Sequence, residues 1–130
     1  MEAFRQAVEN RDLQGMIDCL APDVVFTSPV AFSSYPGKLA TSLILETVMG
    51  VFTDFRYVRQ IDSEDGRDHA LIFEAKVGDR QLTGCDFLRL DDQGLISEFM
   101  VMVRPLSGAN ALAAAMGERW AEIQARLAEG

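Results

Sequence analysis

Residues 84–105, GCDFLRLDDQGLISEFMVMVRP, constrain the fold more tightly than any other stretch. They read as two long antiparallel strands joined at Asp91-Asp92-Gln93-Gly94, where Gly supplies the positive φ of a tight turn. Strand alternation sets Asp86, Leu88 and Leu90 on one face, and Cys85, Phe87 and Arg89 on the other. The return strand sets Phe99, Val101 and Val103 on one face, and Met100, Met102 and Arg104 on the other. Both faces are largely apolar, unlike a sheet with one face in water. One face is therefore expected to cover a core or pocket, and the other to meet a second subunit. Asp86, a carboxylate amid Leu and Phe on the inner face, is the most suggestive single residue.

The remaining totals limit the function classes. At 130 residues the chain is expected to be one domain, 1–130, burying roughly two-thirds of its unfolded surface. A formal net charge of −8 argues against a nucleic-acid surface, which needs a basic patch. No run of about 18 apolar residues offers a membrane span. The opening MEAFRQAVENRD lacks the apolar centre of a signal peptide, so a cytoplasmic location is expected. The two cysteines, Cys19 and Cys85, are then reduced, and neither has the basic neighbours that activate a thiol. One histidine, His69, cannot build a multi-histidine metal cage, so no metal site is expected. Bordering a polar turn, His69 reads as exposed.

Along the chain, Phe4, Ala7 and Val8 form a first helical stripe. Asp12 is a candidate N-cap for a second helix carrying Leu13, Met16, Ile17 and Leu20, which Pro22 stops. Residues 24–28 form a short strand closed by Pro29. Residues 30–37, with Phe32 and Tyr35, form a loop too apolar to face solvent. A third helix spans about 39–52, its stripe formed by Leu39, Leu43, Thr47, Val48 and Val51. Strands follow at 55–61, with Tyr57, Arg59 and Ile61 on one side, and at 70–77, with Leu71 and Phe73 on one side. Ser107 is a candidate cap for a last helix to about 127, with Leu112, Met116, Trp120, Ile123 and Leu127 as its stripe. The order predicts an α+β domain in which a strongly bent antiparallel sheet wraps around helices, giving a cone with a cavity.

The run from Asn10 to Gly15, the segment Leu20-Ala21-Pro22-Asp23-Val24-Val25-Phe26 with Pro29, and the ending Asp86-Phe87-Leu88-Arg89-Leu90 resemble the nuclear transport factor 2-like, or SnoaL-like, superfamily. The resemblance covers about residues 3–105 and implies a cystatin-like roll, often dimeric through its sheet. The helix at about 107–127 lies beyond it. The superfamily includes ketosteroid isomerases, polyketide cyclases, epoxide-hydrolase-like enzymes and non-catalytic proteins, so fold alone does not assign activity. The ketosteroid isomerase pattern aligns with the opening without gaps. Its helix tyrosine falls at Phe4, its general-base aspartate at Ser28, and its hydrogen-bond-donating aspartate at Asp86. Proton abstraction needs a base within reach, which a serine without histidine does not supply. Isomerisation by the usual route is therefore not expected.

Burial among Leu71, Phe73, Leu88 and Phe99 would raise the pKa of Asp86. A protonated Asp86 can polarise a carbonyl or epoxide oxygen, and an ionised one can act as a base. The alternative is an aspartate that bonds Ser28, Tyr35 or Tyr57 and only completes the core. Arg59, if inward, would pair with Asp86; if at the rim, it rests its stem on apolar surface. Glu74 and Glu98 fall outward, leaving no second inward acid. The expected pocket lining is Phe4, Met16, Phe26, Ser28, Phe32, Tyr35, Phe55, Tyr57, Arg59, Leu71, Phe73, Leu88, Phe99, Val101, Val103 and Trp120. Two functions remain open at this point. One is a homodimeric, cofactor-independent isomerase, cyclase or hydrolase, or simple binder, of a small apolar molecule at Asp86. It predicts a closed cavity of about 300–1,000 Å³. The other is a non-catalytic domain acting through protein contact on its sheet.

Overall fold

The computed structural model describes residues 1–31 and 33–130; Phe32 lies outside the described residues. Helices α1 (Glu2–Glu9) and α2 (Leu13–Asp18) precede strands β1 (Leu20–Thr27) and β2 (Ser34–Pro36). Helix α3 (Lys38–Val51) leads into β3 (Thr53–Asp62), β4 (Asp68–Val77), β5 (Arg80–Leu90) and β6 (Ile96–Arg104), and α4 (Leu106–Glu129) closes the chain. One curved six-stranded sheet, ordered β2-β1-β6-β5-β4-β3, carries the helices on its inner face. The expected α+β architecture holds, with one refinement. The β3–β6 meander is antiparallel, whereas β1 runs parallel to β6, Phe26 opposite Phe99.

The β5–β6 hairpin folds as its pattern dictates. Gly94 has a φ of 78°, and the Asp91 carboxylate accepts from the amides of Gln93 and Leu95 at 2.9 and 3.0 Å. Asp86 and Leu88 point inward, and Phe87 and Arg89 outward. Gly84 serves a different need. A Cβ there would stand 2.2 Å from Cζ of Phe73, so only glycine lets that ring lie across β5.

The helices differ more from expectation. Asp12 caps α2, its carboxylate accepting from the amide of Gly15 at 3.0 Å. Leu20 belongs to β1 rather than to α2, and β1 accommodates Pro22 where its pairing with β6 slips between Leu20 and Val25. In α3 the buried residues include Ala40, Thr41, Leu43, Ile44, Leu45 and Val51, while Leu39 is exposed. A helix apolar on nearly every side offers several stripes, and packing against β1 and α4 selects among them. Ser107 is not a cap; α4 starts at Leu106, directly after Pro105. Helix α4 lies against α3, tied by Arg126 Nη1 donating to Glu46 Oε2 at 2.9 Å. Among the described residues no helix is long and apolar enough to cross a membrane.

Strand β3 carries the structural detail that matters most for the site. Tyr57 pairs with Phe73 but Arg59 with Ile72, so Val58 is an extra residue, a β-bulge. The bulge reverses the alternation. Phe55 and Tyr57 face inward before it, and Gln60, opposite Leu71, faces inward after it. Arg59 and Ile61 are turned outward, against the simple alternation read from the sequence.

Candidate functional site

Between the sheet, α1, α3 and α4 lies a hollow of about 210 Å³. That is below the roughly 300–1,000 Å³ of pockets for drug-sized ligands, so it suits a small molecule, or one reaching out through the mouth. Phe4, Phe26, Phe52, Phe55, Phe73 and Phe99 supply most of the aromatic wall, with Ile44, Leu45, Val48, Leu112 and Met116 opposite. The walls are braced by ring contacts, Phe55 stacking on Phe73 at 4.8 Å and Phe4 meeting Phe99 edge-on at 5.5 Å. Among the described residues the polar side chains that line it are Glu9, Arg11, Ser28, Tyr57 and Asp86.

Asp86 is 6% exposed and accepts a hydrogen bond from the Tyr57 hydroxyl, Oη to Oδ2 2.9 Å. Of the three partners open in the sequence, Tyr57 is the one used. Burial pushes the Asp86 carboxyl up to about 7, opposed by the Tyr57 hydrogen bond, which favours the charged form. Burial first, and then the negative charge of Asp86, push the Tyr57 phenol well above its ordinary value. A neutral phenol thus donates to a carboxyl poised to exchange its proton near neutral pH. Ser28 lines the rim, but its hydroxyl already accepts from the amide of Val30 at 3.1 Å, and no group beside it would make it a base.

Of the expected lining, Phe4, Met16, Phe26, Ser28, Phe55, Tyr57, Phe73, Phe99 and Val101 border the hollow with Asp86. Five described residues do not, and Arg59, turned outward by the bulge at Val58, is a sixth. Leu71 and Leu88 are buried in the core beyond it, and Val103 is half-buried further along β6. Tyr35 and Trp120 pack on each other, ring centroids 5.1 Å apart, pinning α4 to β2. The α3 contribution was missed, although Ile44, Leu45, Val48, Met49 and Phe52 recur at the i, i+1, i+4, i+5, i+8 spacing of a helical face. Glu9 and Arg11 were also missed; they follow the apolar stripe of α1, where solvent exposure was the natural reading.

His69 is the other correction. It is 9% exposed, on the same inner face as Leu71 and Phe73, because β4 starts at Asp68. Its Nδ1 lies 2.5 Å from Asp62 Oδ1 and its Nε2 2.8 Å from the Gly66 carbonyl oxygen. The hydrogen bond from His69, and then that from Gln60, hold the Asp62 carboxyl below its ordinary value. Cys19 and Cys85 are half-buried and unbridged, with both thiols pushed up by burial. Among the described residues no three His, Cys, Asp or Glu side chains cluster as metal ligands.

The model of the SnoaL-like domain family matches residues 1–99. No curated protein matches the chain significantly. A crystal structure described as a steroid delta-isomerase from Pseudomonas aeruginosa is 49% identical, with a TM-score of 0.86 over 92% of this chain and 88% of that one. An uncharacterised protein with a cystatin-like fold from Silicibacter pomeroyi DSS-3 is 34% identical, with a TM-score of 0.85 over 91% and 82%. A nuclear transport factor 2-like protein of unknown function from Burkholderia xenovorans LB400 shares the fold at 14% identity, with a TM-score of 0.67 over 78% and 77%.

Proposed function

This chain belongs to the SnoaL-like domain family, and we propose that its hollow binds a small, largely apolar molecule through one ligand oxygen. That oxygen accepts a hydrogen bond from the Asp86 carboxyl in its protonated form, which Tyr57 holds in place. The observation that carries this reading is a hydrogen-bonded phenol and carboxyl, 2.9 Å apart, bordering a largely apolar cavity. Apolar walls strengthen any hydrogen bond made inside them.

The chemistry that fits is a cofactor-independent isomerase type. With Asp86 ionised, Tyr57 donates to it and the carboxylate can accept a proton from an acidified carbon of the ligand. The electron pair left on that carbon moves onto the ligand oxygen, to which the Asp86 carboxyl, protonated by the same step, can donate a hydrogen bond. Asp86, now protonated, returns the proton to another carbon. A carboxyl that titrates near neutral pH suits both directions of transfer. The name of the 49% identical Pseudomonas aeruginosa structure supports an isomerase reading. The residues Phe4 and Ser28 argue for a route that does not use a tyrosine and an aspartate at those positions.

The test is a thermal-shift screen of cyclic enones, lactones and epoxides against wild type, Asp86→Asn and Tyr57→Phe. Binding raises the midpoint in proportion to the logarithm of ligand concentration. The reading expects at least one carbonyl or epoxide compound whose shift shrinks in both variants. Equal shifts in all three proteins, or none for any compound, would remove the site.

The outer face of the sheet supports a second contact, between two copies of this chain. Val58, Ile61 and Met102 are 48%, 51% and 53% exposed there, with Phe87 and Val25 beside them. A soluble domain rarely leaves such a contiguous apolar patch uncovered. Sedimentation of wild type against Phe87→Glu/Met102→Glu is expected to show a dimer converted to monomer; an unchanged monomeric wild type would refute it.

A further inference from the structure

Helix α1 and strand β3 meet at one charged residue that neither the family match nor the cavity lining assigns. Arg5 Nη1 donates to Gln60 Oε1 at 2.9 Å, and Arg5 Nε lies 3.7 Å from Glu9 Oε1 one helical turn on. Its guanidinium carbon stands 5.6 Å from the centroid of the Tyr57 ring. We propose that Arg5 is a positioning residue, clamped between Glu9 and Gln60 so that it holds the Tyr57 ring and directs its hydroxyl onto Asp86. This rests on the reading of Tyr57–Asp86 as the binding pair.

Three features converge on the clamp. The bulge at Val58 brings Gln60 to the inner face, where it can receive the guanidinium; unbroken alternation would have turned it outward. The Arg5–Glu9 pair spans i to i+4 on α1, so helix geometry alone fixes the second anchor. The Arg5 side chain is only 26% exposed, which restricts the freedom a surface arginine keeps. Planar guanidinium stacks on an aromatic face where a compact ammonium does not.

The charged groups around the phenol give the clamp an electrostatic consequence. Asp86 faces Tyr57 from β5, and Arg5 and Glu9 face it from α1; Phe55 and Phe73 fill the remaining sides. Asp86 and Glu9 make the phenol harder to ionise, and Arg5 makes it easier. A more acidic phenol is a stronger donor. The Tyr57 hydrogen bond favours the ionised form of Asp86, so weakening that bond must raise the Asp86 titration midpoint.

The experiment follows Asp86 in the free protein by the 13C chemical shift of its side-chain carboxyl against pH. Arg5→Met is expected to move the midpoint upward by roughly half a pH unit. Arg5→Lys, which keeps the charge and loses the planar guanidinium, is expected to fall between. Gln60→Met releases the guanidinium without touching Tyr57 and is expected to move the midpoint the same way; it also serves if Arg5→Met does not fold. A midpoint unchanged from wild type in folded Arg5→Met, or in folded Gln60→Met should Arg5→Met not fold, overturns the proposal. No ligand enters this measurement, so the two readings fail separately. A shifted midpoint with no compound bound sinks only the ligand site. Asp86-dependent binding with an unmoved midpoint sinks only the clamp.

Discussion

His69 and Asp86, both titratable and both buried on the inner face of the sheet, have opposite fates. His69, near the open end of β4, has an acceptor on each ring nitrogen, the Asp62 carboxylate at 2.5 Å and the Gly66 carbonyl at 2.8 Å. Its bonding capacity is used within the chain, and it fastens the β3–β4 turn. Asp86, on the neighbouring strand β5, has one partner among the described residues, Tyr57, and borders a hollow. A carboxyl has about four lone-pair sites to fill, so capacity is left over. A buried polar group thus marks a site when its unfilled valence meets empty space. Burial alone marks only a constraint.

The largest way to break this contrast is to remove the wall that keeps the hollow dry. Phe73 stacks on Phe55, touches Tyr57 and Phe52, and lies across Gly84. Phe73→Ala is expected to cost about 3–5 kcal/mol in urea denaturation. It should also admit water beside Asp86 and draw the titration of that carboxyl back toward 3.8, its ordinary value.

Next comes a change that should stabilise. The folded-state pKa of Asp86 lies above the unfolded one, so ionisation costs more in the folded protein. That penalty is absent below the unfolded value of 3.8, grows as pH rises, and is complete above about 7. Asp86→Asn keeps an acceptor for Tyr57 and cannot ionise. It is expected to be more stable than wild type at pH 8, by on the order of a few kcal/mol, with the gap closing by pH 4. Urea midpoints at the two pH values check it. A loss of stability at pH 8 would mean that the charged carboxylate is well solvated.

His69→Ala should do the reverse and less. Its partners Asp62 and Gly66 are at the exposed turn, so water replaces the lost bonds, and a cost of about 1 kcal/mol is expected. Ligand-induced thermal shifts should be unchanged. If they vanish, the two ends of the sheet are not independent, and the contrast fails.

The Asp86 half of this contrast was legible in the residues. Simple alternation over β5 and β6 put Asp86, Leu88 and Phe99 inward, and the turn at Gly94 set their register. The same rule gave the wrong side for Arg59, because one extra residue at Val58 reverses everything after it, and a bulge leaves no compositional mark. His69 was misplaced for a related reason: a strand end was drawn two residues late, at a polar run that continues the ladder. The Tyr57–Asp86 bond needs two strands separated by β4 to curve toward each other, and no local pattern encodes that. The α3 face was present in the spacing of Ile44, Val48 and Phe52, yet a helix with apolar residues all round does not announce which face packs. Tyr35 and Trp120 were expected in the pocket lining; they pack on each other instead and hold α4 against β2, a contact between distant segments that no local pattern encodes.

The most direct measurement is the carboxyl 13C titration of Asp86 with and without a saturating ligand from the screen. The account predicts a midpoint of about 7 in the free protein, displaced when a carbonyl or epoxide oxygen occupies the hollow. A midpoint in the ordinary carboxylate range near 3.8, or one that does not move when the ligand binds, would contradict it.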